Sequence, residues 1–357
     1  MSILADIRVV ELASVLAGPN VGMFLAEQGA QVIKVENKTT GGDVTRFWRL
    51  PDEDTSGLSA YFCAVNAGKT HIFLDLLDQS DRKALDEVIR QADILILNFK
   101  PGDAEKFDMT TDQLRARHPK LIIATLQGFA GSSHRVAYDV VIQAETGYMS
   151  MNGTQASGPL KMPVAMMDLL AAHQLRQGVL LALYNREKTG KGALVQHSLE
   201  AAGVSNLANQ ASNYLMAGHV ATRMGSLHPN IAPYGDTFIC KDGKAIVLAV
   251  GSDGQFRKLC QVLGAPDLAT DSLFSTNIER VQNRSRLTEA LAPLFGQKPA
   301  FDWISAFHQQ HIPAGQVKDV GEVLAQPHLA HLIWRTDENG QEAARVRTSG
   351  FEIFCND

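Results

Sequence analysis

The feature that most limits what this chain can fold into is the regular exchange of short β-branched runs for helical stretches in its first third. Ile7 to Leu12 (IRVVEL) is a short apolar run of the kind that forms a buried strand. Ala17-Gly18-Pro19-Asn20 turns from it into a helix of about ten residues, with Pro19 in the first turn, where a missing amide costs nothing. Gly29 ends that helix, and Gln31 to Glu36 (QVIKVE) supplies the next strand. The pattern repeats through His71 to Leu74, a helix from Ser80 to Gln91, Asp93 to Leu97, a helix from Thr111 to Arg117 and Leu121 to Thr125. Strands separated by helices predict an α/β fold with a parallel, doubly wound, Rossmann-like sheet. Ligands of such sheets sit beyond the carboxyl ends of the strands.

After Thr189-Gly190-Lys191-Gly192 the texture changes. Leu199 to Ala217 has the composition of one helix, and His228 to Gly235 is a loop. Asp236 to Cys240 and Ala245 to Val250, joined by Lys241-Asp242-Gly243-Lys244, form a β-hairpin pattern. Helical patterns then dominate from Gln255 to His311. The expected organisation is a large domain over 1–200, completed by about 325–357, a linker over 201–224 and a smaller α+β domain over 225–320.

Composition removes several function classes. A net charge of −5 gives no reason to expect nucleic acid or an anionic membrane surface, so an anionic ligand must meet a local basic patch. Cys63, Cys240, Cys260 and Cys355 are scattered, which indicates neither a zinc site nor a disulfide framework. That usage, no signal-peptide pattern after Met1 and no apolar run of membrane-spanning length together predict a cytoplasmic protein.

The motifs narrow the chemistry further. A dinucleotide site needs GxGxxG in the first strand-to-helix turn, whereas Leu16-Ala17-Gly18-Pro19-Asn20-Val21-Gly22 puts proline in the critical place. HExxH and G-x-S-x-G are both absent, which leaves carboxylates as the candidates for covalent or acid–base work. Lys34, Arg46, Lys69, Lys100 and Lys106 fall near predicted strand ends, where phosphates dock. Asp168 is the one carboxylate in the otherwise apolar stretch Met162 to Ala172, just before an Ala/Leu-rich helical pattern reaching Tyr184. Taken in this window alone it suits first an N-cap, whose side chain accepts an orphan amide of the first turn, and second a functional acid. His173, five residues on, would point about 140° away on a helix and so forms no dyad with it.

Taken together, these stretches resemble the family III CoA-transferases, the group of formyl-CoA transferase, the carnitine and bile-acid CoA-transferases and α-methylacyl-CoA racemase. The matching pieces are Leu16 to Pro19, Val32 to Glu36 with Gly42-Asp43-Val44-Thr45-Arg46, Asn66 to Lys69, and Asn98 to Gly102. They continue through Tyr138-Asp139 to Gly147, Asp168, Lys188 to Gly192, His228-Pro229, Pro233 to Gly235 and Ile312 to Gly315. The resemblance implies an interlocked homodimer whose large domain binds coenzyme A as a substrate, with no metal and no tightly bound cofactor. By position it implies a nucleotide and pantetheine path along Lys34, Lys38, Leu74, Asn98, Phe99, Lys106, Ala137, Tyr138 and Asp139, and a catalytic role for Asp168. Leu16 stands where formyl-CoA transferases carry glutamine, and Gly251-Ser252-Asp253-Gly254-Gln255 resembles the family's glycine lid in shortened form; both departures count against oxalate as acceptor.

The implied reaction moves CoA from an acyl-CoA to a small carboxylic acid through Asp168. The helix start after Asp168 would favour its ionised form and supply amides for the tetrahedral intermediates. Arg223, His228 and Tyr234 would hold a distal carboxylate, which points to a dicarboxylic acid; an arginine can grip it through two parallel bonds. A 2-methylacyl-CoA racemase is the competing expectation. The family's racemases carry histidine where Tyr138 stands, and a phenol is a poor base for α-proton abstraction. A CoA-binding subunit without turnover is the expectation of another class.

Overall fold

A computed structural model of the chain describes residues 2–131, 135–338 and 340–354. The chain divides into two compact units: residues 1–149, 161–221 and 328–357 form one, and 150–160 with 222–327 form the other.

The larger unit is built on six parallel strands: β1 Arg8–Leu12, β2 Gln31–Asn37, β3 Thr70–Leu74, β4 Ile94–Leu97, β5 Ile122–Gln127 and β6 Ala193–Ser198. Their order is β3-β2-β1-β4-β5-β6. The order reverses between β1 and β4, which makes that crevice the topological switch point. Alternate residues face opposite layers. Val9, Ile94, Ile96, Ile122 and Ala124 pack with Val21, Phe24 and Leu25 of the helix Ala17–Glu27 and with Ala171, Leu175 and Val179 of the helix Met166–Thr189. Val10, Leu95, Leu97 and Ile123 pack with Leu85 and Ile89 of the helix Gln79–Arg90 and with Leu114 of the helix Thr111–Arg117. Burial on both faces explains why the central strands are continuous apolar runs. Each buried Val, Leu, Ile or Phe among them contributes about 1.5–3 kcal/mol.

Two parts of this unit differ from expectation. Ala193–Ser198 joins β5 as an edge strand although its alternation (ALVQHS) is weak. The stretch Leu199 to Ala217 is two helices, Leu199–Ser205 and Asn209–Ala217, broken where Ala208 takes a positive φ of 50°. After the chain returns, β10 (Ile333–Glu338) and β11 (Gln341–Val346) pair antiparallel, and the following residues clasp the first helix. Glu27 there accepts bonds from Arg345 and from the Thr348 amide and hydroxyl (2.9 and 2.7 Å).

The smaller unit carries an antiparallel sheet of β7 (Tyr234–Ile239), β8 (Ala245–Ala249) and β9 (Ala314–Gln316) in that order. The expected hairpin is its first two strands; β9 was not legible. Phe238 stacks on Phe295 at 4.5 Å, and Trp303 and Phe307 extend the same core. Cys63, Cys240 and Cys260 are buried free thiols, and Cys355 lies outside the described residues. Among the described residues no helix is long and apolar enough to cross a membrane.

Candidate active site

Asp168 is the third residue of the helix Met166–Thr189 and is buried. It is not the helix cap. The N-cap position is Ala165, which has no capping side chain, and the cap comes from another helix (Asp139–Glu145). Asp139 Oδ1 accepts the Met167 amide at 2.6 Å and the Asp168 amide at 3.4 Å. Gln143 Nε2 donates to the other oxygen of Asp139 at 2.5 Å, while Gln143 Oε1 accepts the Met162 amide at 2.7 Å. One small network therefore fixes both the approach to the helix and its first turn.

This arrangement corrects two expectations. The amides at the helix start are already taken: Met166 donates to the Val164 carbonyl, Leu169 to the Ala165 carbonyl, and the two between them to Asp139. They are not spare donors for a tetrahedral intermediate. Nor does the helix terminus keep Asp168 acidic. Burial, and then the Asp139 carboxylate, raise its pKa to about 7. Tyr61, in the helix Ala60–Asn66, belongs to the same neighbourhood: burial and then the Asp168 and Asp139 charges raise its phenol above the ordinary value. Its ring meets Trp48 edge-on at 5.1 Å. No local motif marks Tyr61; its place follows only from tertiary contact.

The residues implied as a CoA path fall along the carboxyl edge of the sheet. Lys38 follows β2, Leu74 ends β3, and Asn98 and Phe99 follow β4; Leu16, expected against the substrate, follows β1 at the same edge. Ala137 lies over Gly128 just beyond β5, so close that a Cβ on that glycine would sit 2.4 Å from the alanine's. Lys38, Lys106 and Tyr138 are exposed, and Phe99 meets Phe107 edge-on at 5.8 Å. Lys34 differs. It is fully buried, its ammonium 3.0 Å from Glu11, 3.0 Å from Asp43 and 2.6 Å from the Ala13 carbonyl. Its protons are committed inside the fold, so it does not face a ligand. Asn98 is likewise engaged, accepting the Ser14 amide at 3.0 Å and donating to the Ser14 carbonyl at 2.8 Å.

The remaining expected residues belong to the smaller unit. His228 rests edge-on against Tyr234 at 5.2 Å, and its Nδ1 accepts the Asn230 amide. Arg223 donates to the Ser150 carbonyl at 3.3 Å, and its buried Nε has no partner among the described residues. Gly251 to Gln255 is a structured helix start rather than a free loop. Ser252 and Gln255 form a capping box, Gln255 accepts the Gly251 amide, and Asp253 is held at 2.8 Å by the fully buried Arg280.

A doubly wound parallel sheet with a switch point between β1 and β4, and a buried carboxylate raised towards neutrality in the same unit, define a Rossmann-like α/β protein with a candidate reactive acid. The profile of CoA-transferase family III matches residues 4–355, and the chain belongs to that family. It is 36% identical to a succinate–glutarate CoA-transferase of Agrobacterium fabrum over 97% of this chain and 88% of that one. It is 34% identical to an acetyl-CoA:oxalate CoA-transferase of Acetobacter aceti over 90% and 82%. The crystal structure of a CaiB/BaiF family protein from Brucella suis superimposes with a TM-score of 0.88 at 36% identity, covering 99% of this chain and 93% of that one. The protein is a family III CoA-transferase.

Proposed function

We propose that this enzyme moves coenzyme A between dicarboxylic acids through covalent intermediates on Asp168. The observation that carries the reading is the state of that carboxyl: buried, crowded by Asp139, and poised near neutrality. Its ionised form is poorly solvated and repelled, and acylation, which removes the charge, relieves both penalties.

Asp168 attacks the thioester carbonyl, forming a mixed anhydride and releasing CoA thiolate. The thiolate attacks the Asp168 carbonyl, giving an aspartyl–CoA thioester and the free donor carboxylate. An acceptor carboxylate then attacks that thioester, and the thiolate, released again, takes the acyl group from the second anhydride and restores Asp168. Charge and protons balance at each step, and one hard exchange becomes several similar ones. Holding the partners together is worth about 7–11 kcal/mol.

Three features support the placement of the substrates. Leu16, Lys38, Leu74, Phe99, Lys106, Ala137 and Tyr138 border the ligand edge of the sheet, with lysines for the phosphates. The relatives named above act on succinate, glutarate and oxalate, all dicarboxylates. Arg223 keeps a buried Nε without a partner among the described residues, near His228 and Tyr234 in sequence, and an arginine can grip a distal carboxylate. We infer a homodimer as well: the helix Asn209–Ala217 buries none of its own residues and leaves Tyr214, Leu215 and Met216 exposed. The test is incubation with succinyl-CoA and single acids, followed by chromatography of the CoA esters. Dicarboxylates should accept CoA in preference to monocarboxylates of equal length; exchange with none of the panel would refute the reading.

A further inference from the structure

Val15 has a φ of 72°, in the left-handed region that a β-branched residue enters only under constraint. It sits in the turn after β1, at the crevice between β1 and β4 where the sheet order reverses. Two clamps hold this turn. Asn98 grips both backbone groups of Ser14, and the Asp43 carboxylate accepts the Val15 amide at 3.3 Å through each oxygen. Asp43 is itself immobilised in the interior. Its carboxylate pairs with Lys34 at 3.0 Å and accepts the Thr45 amide and hydroxyl at 3.0 and 2.8 Å. Its own amide donates to Glu36 at 2.7 Å. Lys34 in turn leans on Glu11, which is shared with Lys69 at 2.7 Å. A chain of buried charges thus runs from inside the sheet to one strained peptide beside the ligand edge.

We propose that Asp43, braced by Lys34, is a positioning residue that holds Val15 in its left-handed conformation and so sets where Leu16 meets the acyl-CoA. The inference rests on the proposed placement of the acyl-CoA at the ligand edge of the sheet, which Leu16 borders. It gives Lys34 an indirect role in place of a direct contact with the coenzyme. Without the brace the valine returns to an ordinary φ, and Leu16 moves with it. A misplacement of about 1 Å near reacting groups can cost on the order of a hundredfold in rate.

The experiment compares the wild type, Lys34→Met/Asp43→Ala, and the same pair with Val15→Gly added, by kcat and KM for succinyl-CoA and by calorimetric CoA binding. Removing the pair as a neutral unit keeps the Glu11–Lys69 contact and the interior charge balance. The expected result is a KM and CoA dissociation constant raised by at least about tenfold. Glycine, which adopts positive φ without a brace, should recover most of that loss. If the paired variant does not fold, Asp43→Ser with and without Val15→Gly makes the same comparison. Unchanged CoA binding and KM in a transferring enzyme, or a loss that glycine does not recover, would overturn the proposal and leave the proposed function intact. A wild type that neither binds nor transfers CoA would remove both.

Discussion

The Glu11–Asp43 and Asp168–Asp139 carboxylates of the larger unit are treated in opposite ways. Glu11 and Asp43 face Lys34 and Lys69, two negative groups with two positive ones, all linked within 3.0 Å. There burial alone would lower the pKa of Lys34, but Glu11 and Asp43 outweigh it and hold the ammonium above its ordinary value. Asp168 and Asp139, among the described residues, face each other with no cation between them, and the charge of one is displaced towards neutrality. A compensated cluster holds geometry, even though burial brings the Lys69 ammonium down to about 8. An uncompensated pair keeps one member ready to lose its charge, as formation of an acyl bond requires.

The strongest break of this contrast is Asp168→Ala. Transfer should fall by at least about a thousandfold, since the covalent route and its proximity advantage are lost together. The thermal midpoint should not fall at neutral pH. Chromatography of CoA esters and scanning calorimetry check the two halves.

Glu11→Ala should do the reverse at the compensated cluster, leaving two buried ammoniums to share one carboxylate. Breaking such a pair costs about 3–5 kcal/mol, to be read as a lower urea midpoint.

The uncompensated pair also carries a pH signature. Asp168 titrates near 7 in the folded chain against 3.8 for the free side chain. Between those values the unfolded chain gives up the proton first, so stability falls as pH rises, and the penalty is complete above about pH 7. Asp168→Asn should therefore be more stable than the wild type at pH 8, with a ceiling of about 4 kcal/mol at 1.36 kcal/mol per unit. The difference should vanish below about pH 4. Thermal melts across that range are the check.

The smallest expected effect belongs to Asp139→Asn, which keeps an acceptor for the Met167 amide while removing the charge. The acid limb of the kcat profile should move down by on the order of one unit, as expected when a like charge is removed. An unmoved limb would assign the raised pKa of Asp168 to burial alone.

The sequence disclosed these regions unequally. β1, β2, β4 and β5 were legible because burial on both faces demands uninterrupted Val, Ile and Leu. β6 and the β10–β11 hairpin were not, since edge strands and exposed pairs tolerate polar residues such as Gln196, His197 and Arg335. Asp168 stood out as a lone acid in an apolar stretch. Its neighbours did not show as such: Asp139, expected on the coenzyme path, reaches it from 29 positions away, and Tyr61 lies still further back in the chain. Lys34 was placed against the coenzyme by its position at a strand end, and only the fold shows that Glu11 and Asp43 claim it first. Pairing across distant segments is the information that local pattern lacks.

The account depends on Asp168 becoming covalently loaded during turnover. Incubating the enzyme with acyl-CoA, quenching with hydroxylamine and mapping peptides by mass spectrometry tests this directly. The account predicts a hydroxamate on Asp168 and on no other carboxylate. Continued transfer with Asp168 unmodified would contradict it.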